Sequence, residues 1–188
     1  MMANRATREC TMKTFFCVLI SIAAGISLAF AQSTVKKENV DGIRNLAKIE
    51  STVACAGAIT PAAVAGIKGM GYASIINLRE ATEQGADIEA ETAAAKAAKI
   101  TYYHVPFNGT QPTAAAVDQF LKAITSPGAE PSFIHCAGGN RAASMWFVKR
   151  VLIDKWTTDR AMAEATELGF TSQPLKTFMM DYIKAHQK

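Results

Sequence analysis

Phe133-Ile134-His135-Cys136-Ala137-Gly138-Gly139-Asn140-Arg141-Ala142 is the stretch on which the fold turns. An apolar run ends at a cysteine, passes two glycines and an arginine, and leads into the apolar helical pattern Arg141–Ile153. A strand that turns through such a loop into a helix forms an anion cradle. Backbone N–H groups converge at the helix N-terminus, and the helix dipole favours negative charge there. Gly138 and Gly139 accept backbone angles other residues resist and leave room for a ligand against the main chain. Arg141 can offer phosphate a bidentate fork. Cys136, at the strand end, lies in the same positive field, which favours its thiolate and makes it the candidate nucleophile.

Around this loop, apolar segments of strand length alternate with helical patterns. Thr52–Ala58 reads as a short strand. Thr60-Pro61 opens a helix, with Thr as cap and Pro in the first turn, that ends near Gly69 and Gly71. Ala73–Leu78 is a buried strand, Ile88–Lys99 an Ala- and Glu-rich helix, and Ile100–Val105 a strand closed by Pro106. Thr113 caps a helix with Val117, Phe120, Leu121 and Ile124 on one face. After the Pro127-Gly128 turn and the strand Ser132–His135, the helices Asp159–Leu168 and Gln173–Ala185 complete the chain. Gln32–Val40 reads as a loose polar lead-in, and Val40–Ile49 as a short amphipathic helix or an extended arm. The alternation predicts an α/β fold with a mainly parallel central sheet flanked by helices, and ligands beyond the carboxyl ends of its strands.

Composition narrows the function. The chain has 188 residues, 49% hydrophobic and 19% charged, which is globular and excludes disorder. A net charge of +4 with no basic run longer than a pair argues against nucleic acid as partner. The three histidines (His104, His135 and His186) show no ligand spacing, so neither a metal nor a cofactor is expected. Trp146 and Phe147 read as core, and Lys149-Arg150 as a solvated face.

At the N-terminus, Arg5, Arg8 and Lys13 precede the apolar run Phe15–Phe30 and the small-x-small site Ala29-Phe30-Ala31. This is the pattern of a secretory signal peptide spanning residues 1–31, cleaved after Ala31. Met12-Lys13 is an alternative start. The expected product is periplasmic or secreted, free of the membrane after cleavage, with residues 32–51 as lead-in and 52–188 as the functional domain. Cleavage removes Cys10 and Cys17 and leaves Cys55 and Cys136, which an oxidising compartment could pair in a reversible disulfide.

The Cys136 loop resembles the active-site loop of cysteine-dependent phosphatases, whose signature is His-Cys, a short stretch, then Arg. Ile75-Ile76-Asn77-Leu78-Arg79 is similar to the Val-Ile-Asn-Leu-Arg strand of that superfamily. Gly57-Ala58-Ile59-Thr60-Pro61 and Tyr102-Tyr103-His104-Val105-Pro106 occur in the matching order. The chain is most similar to the bacterial phosphatase-like domain of β-lactamase hydrolase-like proteins, across about Thr52–Ile183. The resemblance implies a three-layer phosphatase-like sandwich and hydrolysis of a phosphorylated substrate without a cofactor. Cys136 would attack phosphorus to give a phosphocysteine. Arg141 and the loop residues Ala137, Gly138, Gly139 and Asn140 would hold the phosphoryl oxygens, and His135 would orient the loop and assist the thiolate.

Three positions depart from that pattern. Four residues separate Cys136 from Arg141, where classical members have five. Asn108 stands where the family carries an Asp general acid, which leaves Asp118 and His104 as candidate acids. Ala142 follows Arg141, where many members carry Ser or Thr. The same loop also resembles that of single-domain rhodaneses, which would make the protein a sulfurtransferase with a Cys136 persulfide. A third alternative is an anion-binding module without turnover.

Overall fold

The computed structural model of the chain describes residues 34–50 and 52–187. The segment read as a signal peptide, with Cys10 and Cys17, lies outside the described residues. Six strands form one sheet: β1 (Val35–Val40), β2 (Ile43–Ile49), β3 (Val53–Ala56), β4 (Ser74–Asn77), β5 (Thr101–His104) and β6 (Ser132–His135). Their order is β1-β2-β3-β6-β4-β5. The pairs β3–β6, β6–β4 and β4–β5 are parallel, so the central and far part of the sheet matches the expectation.

Residues 35–49 differ from the expectation. The stretch taken for a loose lead-in and a helix or arm forms two antiparallel strands, β1 on β2 and β2 on β3. Asp41-Gly42, with Gly42 at φ 74°, makes the tight turn between them. Asx-Gly is the dipeptide such hairpins favour, because the turn needs positive φ. β2 buries Ile43 and Leu46 on one face of the sheet and Ala47 and Ile49 on the other, and so supplies apolar area that a free arm would expose.

The described residues form six helices: α1 (Val64–Gly69), preceded by a 3-10 turn at Pro61–Ala63, α2 (Ile88–Ala98), α3 (Ala114–Ile124), α4 (Asn140–Leu152), α5 (Thr158–Glu167) and α6 (Gln173–His186). Thr60 makes no side-chain cap bond at the 3-10 turn, whereas Asp87, Thr113, Thr157 and Ser172 each accept a backbone N–H at a helix start. Strand alternation divides the core in two. Ala54, Ala56, Ile75 and Phe133 face α1 and α2, while Val53, Cys55, Ile76, Ile134 and Cys136 face the layer of α3 to α6.

Helix α4 lies at the centre of that second layer, and every residue from Ala142 to Val151 is buried. This overturns the reading of Lys149-Arg150 as a solvated face. The Arg150 guanidinium stacks between Trp146 and Trp156, 4.4 and 4.0 Å from the ring centroids, and its Nε donates to Glu164 at 2.7 Å. Trp146 Nε1 donates to the same carboxylate at 2.7 Å. A cation is tolerated here because a buried carboxylate and two aromatic faces replace its hydration. This polar cluster and the packing around it hold α4, and with it the cradle at its N-terminus.

Candidate active site

The carboxyl ends of β3, β6 and β4 meet at the start of α4. Cys136 follows β6 directly, is 1% exposed, and its N–H donates to the Ala56 carbonyl at 3.1 Å. The loop then crosses the end of β3. Ala58 N–H donates to the Ala137 carbonyl at 3.1 Å, and Asn45 Nδ2 to the Gly138 carbonyl at 3.0 Å. Gly57 lets the loop pass closely, since a Cβ there would crowd the Ala137 oxygen at 3.0 Å and the Arg44 oxygen at 3.1 Å. Gly139 caps α4 at φ 105°, a region L side chains resist. That conformation aims its N–H at Cys136 Sγ, 3.1 Å away. The sulfur thus accepts a backbone hydrogen bond at the positive end of a 13-residue helix.

Arg141 is held as strongly as Cys136. Its Nη1 donates to Glu83 Oε1 at 2.6 Å, the Phe107 carbonyl at 2.8 Å and the Leu78 carbonyl at 3.2 Å, while Nη2 donates to Glu83 Oε2 at 2.8 Å. A guanidinium has five N–H donors. The Glu83 fork occupies the Nη1–Nη2 edge, and the guanidinium also reaches the Cys136 side chain. Burial alone would lower the Arg141 pKa; the bond to Glu83 and the nearby Cys136 and Glu83 charges raise it, so it stays a cation. Burial pushes the Glu83 carboxyl up, but hydrogen bonds from Arg141 and from Glu80 N–H, the Arg141 charge and Arg79 outweigh it and hold it at about 2.

Arg79 builds the loop that presents Glu83. It is 3% exposed, and its Nη1 and Nη2 donate to the Gly85 and Gln84 carbonyls at 2.8 and 2.6 Å. Neither Glu83 nor this use of Arg79 follows from the sequence motifs; the available signal was only a second Glu shortly after Asn77-Leu78-Arg79.

The other sequence-derived residues fall in different places. His135 does not reach the sulfur. Adjacent strand residues face opposite sides, and its buried imidazole lies under the sheet, with Nε2 3.3 Å from Glu91 Oε2 at an angle too poor for a hydrogen bond. Its contribution to the loop is its backbone carbonyl, which accepts Leu78 N–H at 2.9 Å. Glu91 is 1% exposed and accepts Asn77 Nδ2 at 2.9 Å and the Tyr102 hydroxyl at 2.7 Å. The Asn140 side chain turns away from the cradle, and its Nδ2 donates to Thr171 Oγ1 at 3.0 Å.

Asn108 is a loop-builder. Its Oδ1 accepts Thr110 N–H, Thr110 Oγ1–H and Gln111 N–H, and its Nδ2 donates to Glu80 Oε2 at 3.0 Å. Asp118 is engaged elsewhere, accepting the Tyr182 hydroxyl between α3 and α6. His104 is exposed, with Nε2 2.8 Å from the Arg79 carbonyl. Ala142 is buried, and the nearest helical hydroxyl, Ser144, donates to the Arg141 carbonyl at 2.8 Å. Cys55 and Cys136 are both free thiols, and Cys55 pairs in register with Ile134 on the same sheet face as Cys136. Burial, then the charge of Cys136, pushes the Cys55 thiol well up, which disfavours its thiolate.

A cavity of about 480 Å³ adjoins the cradle, lined by Lys37, Asn39, Asn45, Gly138 and Gly169 among others. Its walls come from the hairpin, the cradle and the turn after α5. Among the described residues there is no cluster of three or more His, Cys, Asp or Glu that could hold a metal ion, and no helix long and apolar enough to cross a membrane.

The profile of the phosphatase-like domain of β-lactamase hydrolase-like proteins matches residues 45–153. A β-lactamase hydrolase-like protein of Xylella fastidiosa is 37% identical over 105 residues, which are 53% of this chain and 23% of that protein. The chain therefore aligns with under a quarter of that relative's length. Two solved structures share the fold. One is the core catalytic domain of the PP-IP phosphatase SIW14 of S. cerevisiae, with a TM-score of 0.61 and 17% identity, covering 78% of this chain and 93% of that one. The other is TpbA of P. aeruginosa, with a TM-score of 0.60 and 17% identity, covering 84% and 92%.

Proposed function

This chain belongs to the family of phosphatase-like domains found in β-lactamase hydrolase-like proteins, and on that premise we propose that it hydrolyses phosphomonoesters with Cys136 as nucleophile. The observation that carries the reading is the pairing of two groups at one helix N-terminus. Cys136 Sγ accepts the Gly139 N–H, and Arg141 is clamped by Glu83 with its guanidinium beside that sulfur.

The chemistry runs in two steps. The Cys136 thiolate forms an S–P bond as the P–O bond to the leaving group breaks, and the departing oxygen takes a proton. Water then attacks the phosphocysteine, which releases inorganic phosphate and regenerates the thiolate. Arg141 and the loop amides stabilise charge on the non-bridging oxygens in both steps. The cavity beside Gly138 has the size of a small-molecule site and can receive the organic part of the ester.

The test is hydrolysis of an aryl phosphate by the chain and by Cys136→Ser, beside a parallel assay with thiosulfate and cyanide. Phosphate release that depends on Cys136 supports the reading. Thiocyanate production in its place would make the protein a sulfurtransferase. Silence in both assays, with phosphate still shielding Cys136 from alkylation, would make it an anion-binding module.

Export is part of the same proposal and rests on Arg5, Arg8 and Lys13 ahead of Phe15–Phe30. N-terminal sequencing of protein from the periplasmic fraction should begin at Gln32; protein confined to the cytoplasm would contradict it.

A further inference from the structure

We propose that Glu80 is the general acid of this site, in place of the amide at Asn108. The inference rests on the phosphatase reading and deepens it. Departure of an alkoxide or aryloxide needs a proton donor beside the arginine that holds the phosphoryl group.

Three carboxyl groups other than Glu80 are already engaged. Glu83 is consumed by its fork with Arg141. Glu91 is 1% exposed and bonded to Asn77 and Tyr102 beneath the strand ends. Asp118 is bonded to Tyr182 between two helices.

Glu80 is different. It is half-buried, and among the described residues its side chain accepts one hydrogen bond, from Asn108 Nδ2 at 3.0 Å. Two segments flank the Arg141 side chain, and that bond spans them. The Leu78 carbonyl, two residues before Glu80, and the Phe107 carbonyl, one residue before Asn108, both accept from Arg141 Nη1. At Gly109 a Cβ would stand 3.3 Å from the Arg141 methylenes, so this loop lies directly on the arginine stem. Glu80 N–H donates to Glu83 Oε1 at 2.9 Å, which fixes the Glu80 backbone against the same ion pair. The charged and titratable neighbours of Glu80 are thus Glu83 and Arg79 on its own loop, Arg141 from α4, and His104 through its contact with the Arg79 carbonyl.

In this arrangement Asn108 does not donate the proton; its amide holds the carboxyl that does. In the first step the protonated Glu80 gives its proton to the bridging ester oxygen as the P–O bond breaks. In the second, the carboxylate takes a proton from the water that attacks the phosphocysteine, which returns it to the acid form.

The variant Glu80→Gln separates proton donation from structure, because its amide oxygen still accepts from Asn108. The assay compares phenyl phosphate, a poor leaving group, with p-nitrophenyl phosphate, a good one, across pH. The expected result is a loss of kcat on phenyl phosphate of roughly 10²–10⁴-fold. That loss should exceed the loss on p-nitrophenyl phosphate by about tenfold or more, and the basic limb of the kcat profile should disappear. Asp118→Asn serves as control and should leave both substrates as they were.

Wild-type hydrolysis that depends on Cys136, with Glu80→Gln matching it on both substrates, would overturn the Glu80 assignment alone. Equal losses on both substrates with the pH profile unchanged would reduce Glu80 to a structural residue and overturn it as well. Absence of Cys136-dependent hydrolysis in the wild type would remove the phosphatase reading and this assignment with it.

Discussion

Replacing Glu83 with Gln tests how Arg141 is held. The two side chains are 21% and 13% exposed and share a two-bond fork of 2.6 and 2.8 Å. The Glu83 carboxyl is held at about 2 against an ordinary 4.5. That difference corresponds to about 3 kcal/mol of preference for the ionised form. The amide keeps the shape and one acceptor, so the expected loss at neutral pH is about 1–3 kcal/mol of folding stability. The sign follows from the lowered value. The contribution is fully present above the unfolded-state value of about 4.5 and disappears as pH falls toward about 2. Urea unfolding of wild type and Glu83→Gln at pH 7, 4 and 3 should therefore show a gap that is largest at pH 7 and shrinks on acidification. Turnover should fall roughly ten- to hundredfold, since the Leu78 and Phe107 carbonyls and a single neutral amide oxygen then orient the guanidinium in place of the charged fork. A gap of zero at pH 7, or one that grows toward pH 3, would refute the reasoning.

Other perturbations probe the frame. Gly139→Ala forces a side chain into φ 105° and should cost about 1–2 kcal/mol. It should also reduce turnover by displacing the N–H on Cys136; denaturant midpoints equal to wild type would contradict this. Glu164→Ala strips the carboxylate from Arg150 and Trp146 in the core and should destabilise by about 3–5 kcal/mol in chemical denaturation, with a marked fall in Tm. A loss below about 1 kcal/mol would mean the cluster is solvated. Cys136→Ser should abolish hydrolysis while retaining phosphate binding by calorimetry, since the amides and Arg141 remain; loss of binding would assign the sulfur a structural role.

Much of the parallel sheet is legible because each strand is a short apolar run bounded by turn residues, and because Thr113 marks a helix start. The Cys136 loop was legible for a different reason: few other uses combine a cysteine, two glycines and an arginine between a strand and a helix. The hairpin is hidden in the sequence because the apolar residues of Val40–Ile49 fit a helical face as well as a strand, and its turn is only the dipeptide Asp41-Gly42. His135 departs from its expected role because strand parity places it on the face opposite Cys136. Lys149 and Arg150 could not be read correctly, since their partners Glu130, Asp154, Glu164, Trp146 and Trp156 come from other segments or from the helix's own far turn. Glu83 carried no motif at all. Its importance arises only when Arg79 folds the loop back and sets it against Arg141, 58 residues further along the chain.

The central claim is that phosphate is transferred to Cys136. Mixing the chain with an aryl phosphate, quenching in acid within the first turnover and mapping peptides by mass spectrometry tests it directly. The account predicts one phosphoryl group on the peptide that contains Cys136, absent in Cys136→Ser. Turnover in the wild type with no phosphoryl group on that peptide, or undiminished turnover in Cys136→Ser, would contradict it.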